Sequence, residues 1–345
     1  MTLYDVFKQM GFELPIEVEN GDVAGSLKSF FDIFYNQLKT LPSLDHQSDG
    51  IHYVNNISPI EIYRLSVNLI SIINESTLEN FAQSYSSFRQ NYQASRVFAY
   101  LKNIPHQVKT IPIGTSFYRV RPLQKKECKE QVERIEERKE LFHIPFDSLF
   151  KVKNYRYSIK EVPALYLSTS LPLALEETRI EKHTPYAVVR FETTQEINII
   201  NVDYSYYLYY RFEEVMREQT DIFLFLGMIL PIVAACSIKV PSKHEGNDFK
   251  EEYIIPQLLM KYVQDYRSEY QAIRFYSSRI NLGDPSQHKD KYNLVLPTKV
   301  TSTSGYDENL KTLFYMTDVK NVLEHRNPHD VENELQQMNA YKIDF

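Results

Sequence analysis

Apolar residues recur every three or four positions through the first hundred residues. Leu27, Phe30, Phe31, Phe34 and Leu38 form one stripe, and Ile62, Leu65, Leu69 and Ile72 a second. Leu78, Phe81, Tyr85, Phe88 and Tyr92 form a third. That spacing brings side chains back to one side of a helix. It predicts a helical N-terminal region over 1–108, read first as a layer packed on the C-terminal domain and second as a partner-binding module. The polar stretch 43–49 reads as a hinge loop.

From about residue 110 the pattern changes to short alternating or apolar segments. They predict strands at 116–121, 164–168, 187–191, 197–202, 232–240 and 272–277. Helices are expected between them: a charge-rich one over 124–141, one starting near Pro172 and one near Pro256. Strands mixed with irregularly placed helices indicate an α+β domain over 109–345 rather than a regular βαβ repeat. The uncharged run 222–238 is short for a membrane span and contains Pro231. It reads as a buried helix followed by a strand.

Composition narrows the function classes. With 43% hydrophobic and 24% charged residues, the chain has globular proportions. A net charge of −6 disfavours nonspecific, direct nucleic-acid binding. The two cysteines, Cys128 and Cys236, are far apart and lack metal-ligand spacing, which fits a reducing, cytoplasmic setting. The first residues show no basic stretch leading into an apolar run, so no signal peptide is expected. Only 9 glycines are present, and neither GxGxxG nor GxxxxGK[ST] occurs, so a bound phosphate would be held by side chains. No HExxH or comparable set calls for a metal.

Four segments carry candidate chemistry. In Phe117-Tyr118-Arg119-Val120-Arg121, a strand puts Phe117, Arg119 and Arg121 on one face. A cation on a mostly apolar strand is costly unless it is paired or meets an anion; the plain alternative is an edge-strand surface arginine. In Ala164-Leu165-Tyr166-Leu167-Ser168, the leucines face the core, and Tyr166 lies on a small, polar face that suits a cleft wall. A tyrosine there can stack on a planar cationic ring, though a merely half-buried tyrosine is the commoner case. Pro172 follows Ser170, a helix-start signal, and Glu176 and Glu177 flank the buried stripe of that helix. Both glutamates also read as solvated carboxylates in an early helical turn. The last segment ends in Ser277 and Ser278, ordinary residues for a strand end.

Taken in order, Arg119 in FYRVRP, Arg156 in YRYS, Tyr166 and Glu177 in PALYLSTSLPLALEE, and Ser277 in IRFYSSR resemble the RES domain family. The resemblance covers about residues 112 to 300, and YRYSIKEVPALYLSTS and EYIIPQLL are its most specific stretches. It implies an ADP-ribosyltransferase-like fold and an NAD-consuming activity, by hydrolysis or phosphorolysis. Many such proteins are toxins restrained by an Xre-type antitoxin. Carried over by motif, Arg119 and Arg156 would hold the NAD phosphates and ribose, and Tyr166 would stack on nicotinamide. Glu177 would be the catalytic carboxylate, and Ser277 would help hold the nicotinamide ribose. The family register, three residues after the small residue matched by Ala174, selects Glu177 over Glu176.

Two features depart from the family pattern. The glycine between the second arginine and the tyrosine is replaced, the stretch being Ile159-Lys160-Glu161-Val162, and the N-terminal region is longer than in compact toxins. The alternatives to NAD cleavage are transfer of ADP-ribose to a protein and an inactive scaffold acting as an interaction module. Oligomeric state is open.

Overall fold

The computed structural model describes residues 14–39, 59–77, 79–94, 109–124, 132–203, 229–240, 249–277, 291–300 and 302–345. The chain divides into two compact units. One comprises Met1–Ile104 and Val202–Tyr262, the other Pro105–Asn201 and Val263–Phe345. Segment 202–262 therefore groups with the N-terminal region.

In the first unit, helices α1 (Val23–Leu38), α2 (Pro59–Glu75) and α3 (Phe81–Ala94) occupy the region of helical periodicity. Leu27, Phe31, Phe34 and Leu38 of α1 are buried, as are Ile62, Leu65, Leu69 and Ile72 of α2 and Tyr85 and Phe88 of α3. The side chains of Leu78 and Tyr92 and the loop 43–49 lie outside the described residues. Asp22 caps α1 by accepting the Gly25 N–H at 2.8 Å. A Cβ at Gly25 would meet that carboxylate, so the Asp22 side chain would have to shift to admit one.

The strand expected over 232–240 is not formed. Residues 229–236 are helical, and Ile238 contributes an isolated parallel bridge to Ile16. Every residue of 229–236 is buried. A run buried on all sides has no polar face to set a period, so alternation could not tell helix from strand.

Among the described residues, the second unit carries a curled sheet of ten strands flanked by helices, a mixed α+β architecture. The strands are β1 (Thr110–Ile111), β2 (Ser116–Pro122), β3 (Ala164–Ser168), β4 (Tyr186–Thr193) and β5 (Ile197–Asn201), followed by β6 (Ala272–Phe275), β7 (Asn293–Pro297), β8 (Phe314–Thr317), β9 (Lys320–Val322) and β10 (Ala340–Lys342). The order across the sheet is β1-β5-β6-β7-β3-β2-β4-β8-β10, with β9 also on β4. The β5–β6 pair is parallel and the others are antiparallel.

One sheet face buries Phe117, Leu165, Leu167, Val189, Phe191 and Leu294. The other packs Tyr118, Val120 and Val188 against α4 (Leu171–Glu177) and α7 (Pro328–Gln337). Between these helices in sequence lie α5 (Ile254–Asp265) and α6 (Glu308–Thr312). Residues 302–345, beyond the reach of the family resemblance, supply β8, β9 and β10 and bury Phe314, Met316 and Ile343 in the main core.

The charge-rich segment differs from its prediction. Residues 133–137 are irregular, and a single 3-10 turn comes next at Arg138–Leu141; residues 125–131 are outside the described residues. Val132 and Ile135 are its apolar anchors, too few for a packed helical stripe. The backbone of Ile135 is instead clamped by the Asn321 amide, which accepts its N–H at 3.0 Å and donates to its C=O at 2.8 Å.

Buried Arg190 on β4 ties α7 to the sheet. Its Nε and Nη2 donate to the carbonyls of Leu335 and Met338 at 3.0 and 2.9 Å. Its Nη1 meets Glu192 at 2.6 Å. The cation thus satisfies carbonyls at a helix C-terminus, where the helix dipole also favours it.

Candidate functional site

β2 and β3 run together at one end. Tyr118 sits opposite Ser168, and among the described residues this is the one register pair between the two strands. By contrast, β2 pairs with β4 from Ser116 to Pro122, and β3 with β7 from Ala164 to Ser168. Next to the shared pair, Arg119 Nη1 donates to the Tyr166 carbonyl at 3.0 Å. A side chain therefore satisfies a backbone acceptor beside the place where the two strands stop pairing.

Arg119 is half-buried. Burial lowers its pKa to about 10, so it stays charged at neutral pH. No carboxylate forms an ion pair with it among the described residues, whereas neighbouring Arg121 pairs with Glu140 at the surface at 3.3 Å. A partly desolvated guanidinium is costly to bury without an anion beside it.

Tyr166 is held from three sides. Its carbonyl takes Arg119, its hydroxyl meets Ser158 Oγ at 2.9 Å, and the Tyr155 ring stands edge-on to it at 6.1 Å. Leu165 and Leu167 are fully buried on the opposite face, as alternation predicted. Arg156 is half-buried in a turn, and the two residues after it are anchored. Tyr157 packs on Phe275 at 4.6 Å, and Ser158 is bound to Tyr166. The segment bearing Arg156 is thus fastened to β3 and to the end of β6.

Three consecutive hydroxyls close the strand and open the helix, each with a separate partner. Ser168 donates to Asn293 Oδ1 at 2.6 Å. Thr169 Oγ1 accepts the Tyr292 N–H at 3.0 Å. Ser170 caps α4 by accepting the Leu173 N–H at 3.4 Å. The helix ends at Glu177, where the Thr178 hydroxyl bonds the Ala174 carbonyl at 2.8 Å and Arg179 turns left-handed at φ 55°. The two glutamates are therefore in the last turn of α4, where the dipole disfavours a carboxylate, and not in an early turn as the sequence implied. The reason is length: α4 has only 7 residues.

The structure separates the two. Glu176 is exposed, and Glu177 is half-buried and accepts the Asn293 Nδ2–H at 2.7 Å. Asn293 is the residue that sequence reasoning missed. Its signal was a polar residue heading the otherwise apolar strand Asn293–Pro297, which was itself not predicted. Ser277 is fully buried, two residues beyond Phe275, which sits opposite Asn293 across the β6–β7 pair. Ser278 lies outside the described residues.

The arrangement links Arg119 directly to Tyr166, and Glu177 through Asn293 to Ser168 on the same strand. It sets a cation, an aromatic ring and a carboxylate around β3. Among the described residues, no group of three or more His, Cys, Asp or Glu side chains could hold a metal ion. No helix among them is long and apolar enough to cross a membrane.

No protein-family model matches the chain. No solved structure matches it. The chain is similar, at 26% identity over 320 residues, to the protein named "Putative toxin YopC" of Bacillus subtilis (strain 168), over 89% of this chain and 67% of that protein.

Proposed function

We propose that this protein is a toxin that cleaves the nicotinamide–ribose bond of NAD, built as a RES domain with an ADP-ribosyltransferase-like fold. The observation that carries the reading is Arg119, a half-buried guanidinium with no ion-pairing carboxylate among the described residues, placed beside Tyr166. NAD offers the matching chemistry: a dianionic pyrophosphate for the arginine and a cationic planar ring for the tyrosine. The likeness to a protein named as a toxin supports the same reading.

In this proposal Arg119 and Arg156 take the phosphates and ribose, Tyr166 stacks on nicotinamide, and Ser277 helps hold the nicotinamide ribose. Loss of nicotinamide leaves positive charge on the ribose. A fixed Glu177 carboxylate stabilises that charge and accepts a hydrogen bond from a sugar hydroxyl. Water as acceptor yields ADP-ribose and a proton; inorganic phosphate yields a phosphorylated ADP-ribose. An inhibitory antitoxin of the Xre type belongs to the same proposal.

The test is purified protein incubated with NAD, with and without phosphate, beside Glu177→Ala, with products separated by chromatography. Nicotinamide release by the wild type alone supports the reading. Release that requires an added protein acceptor would turn it toward ADP-ribosyl transfer. Intact NAD under all conditions would overturn it.

A further inference from the structure

We infer that Asn293, latched by Ser168, is a positioning residue that holds Glu177 as an oriented carboxylate for the reaction proposed above, on which this inference rests. The hydrogen-bond logic admits one arrangement. An ionised carboxylate only accepts, so the Asn293 group facing Glu177 must be the NH2 side of its amide. The 2.7 Å contact is then Nδ2–H to Oε1. That leaves Oδ1 facing Ser168, whose hydroxyl must donate across 2.6 Å.

Each partner is placed by the fold. Asn293 and Ser168 are register partners on adjacent strands, so their side chains emerge side by side on one face. Both are buried, at 2% and 6% exposure, where an unsatisfied amide would be costly. Thr169 locks the next step of the same strand pair by bonding both the N–H and the C=O of Tyr292. Ser170 then starts the short helix that ends at Glu177. The 168–170 triplet thus sets both ends of the latch: the amide that donates and the helix that carries the carboxylate.

The latch also answers an electrostatic conflict. Glu177 closes α4, where the exposed carbonyl ends repel negative charge. The nearby N–H donor offsets that repulsion and keeps the carboxylate pointed at β7. Were Ser168 unable to donate, the amide could flip and present its oxygen to Glu177, acceptor against acceptor.

The experiment compares Asn293→Asp, Asn293→Ala and Ser168→Ala, each alone and with Glu177→Gln, in the full-length protein. Asn293→Asp retains shape and can retain the Ser168 bond but sets carboxylate against carboxylate. It lowers kcat at least tenfold, with KM for NAD within about threefold. Ser168→Ala lowers kcat less.

Melting temperatures supply a readout that needs no activity. Asn293→Asp lowers the melting temperature, and adding Glu177→Gln restores it, since the introduced amide donates to the introduced aspartate. Unchanged kcat in folded Asn293→Asp, or purely additive losses of melting temperature in the double variant, overturns the latch. A wild type that leaves NAD intact defeats the proposed reaction instead, and the melting-temperature cycle then decides the latch by itself.

Discussion

Glu176 and Glu177 are chemically identical neighbours, and their difference lies in surroundings. One faces solvent and the other accepts the Asn293 amide. Glu177→Ala is expected to abolish nicotinamide release with the fold retained, and Glu176→Ala to leave the rate within about twofold, both read by chromatography. The reverse pattern would show that the exposed glutamate does the work. Arg119 offers a second contrast. Replacing this half-buried cation removes a desolvation cost but leaves the Tyr166 carbonyl without its donor, so the two effects offset and Arg119→Leu is expected to change stability by no more than about 1 kcal/mol. The same change should weaken NAD binding at least tenfold, as read by calorimetry. A large loss of stability would instead make Arg119 a structural residue.

Helix α4 is only 7 residues long and owes its placement to its ends. Ser170 caps the start, Thr178 satisfies carbonyls at the finish, and Leu171, Leu173 and Ala174 bury its inner side. Ser170→Ala is expected to cost about 1 kcal/mol in denaturant unfolding. Activity should fall with it, since the helix carries Glu177. Beyond the buried Val331 and Leu335, helix α7 is tied to β4 by Arg190. Arg190→Leu would strand the Glu192 carboxylate and the carbonyls of Leu335 and Met338, all now bonded to the guanidinium. We expect a loss on the order of 3 kcal/mol, seen as a lowered urea midpoint. Strand pairing matters equally. Because β2 and β3 share a single register pair among the described residues, Arg119 can reach the Tyr166 carbonyl. A fully zipped ladder would have consumed that acceptor.

Across the second unit, residues distant in sequence meet in one buried polar cluster. The Asp307 N–H donates to His143 Nε2 at 2.9 Å, so the ring proton resides on Nδ1, which donates to the Ile144 carbonyl at 2.8 Å. Asp307 caps α6 and accepts Arg267 Nη1 and the Lys299 N–H at 2.8 and 2.7 Å. Burial pulls the pKa of His143 down from its ordinary 6.5 to about 4. The unfolded chain therefore takes up a proton near pH 6.5 that the folded protein refuses until about pH 4. The stability contributed by the neutral ring is complete above about pH 6.5 and is lost as pH falls toward 4, by on the order of 3 kcal/mol. Melting temperatures measured from pH 7.5 to 4 should fall through that window, and His143→Gln should flatten the slope. An equal slope in that variant would assign the acid sensitivity to other groups.

The local sequence was sufficient wherever a segment had a water-facing and a core-facing side. The three N-terminal helices, the strand Ala164–Ser168 and the helix beginning beside Pro172 were legible for that reason. So was the core face at Leu165 and Leu167. Where burial is uniform the code is silent, and the buried helix expected in this run continues through 236, where a strand was expected from 232. The charge-rich segment before Leu141 had no apolar stripe to fold against and took its shape from the distant Asn321. Strand β7 is buried along its whole length and so shows no alternation, and β8 to β10, with four residues at most, are too short for a period. Residue types at Arg119, Tyr166 and Glu177 could be named in advance because charge and aromaticity belong to side chains. The Asn293 latch, the absence of an ion-paired carboxylate at Arg119 among the described residues and the unlike surroundings of two adjacent glutamates, between which only the family register chose, could not. Each depends on which distant backbone arrives beside the residue, and only tertiary packing sets that.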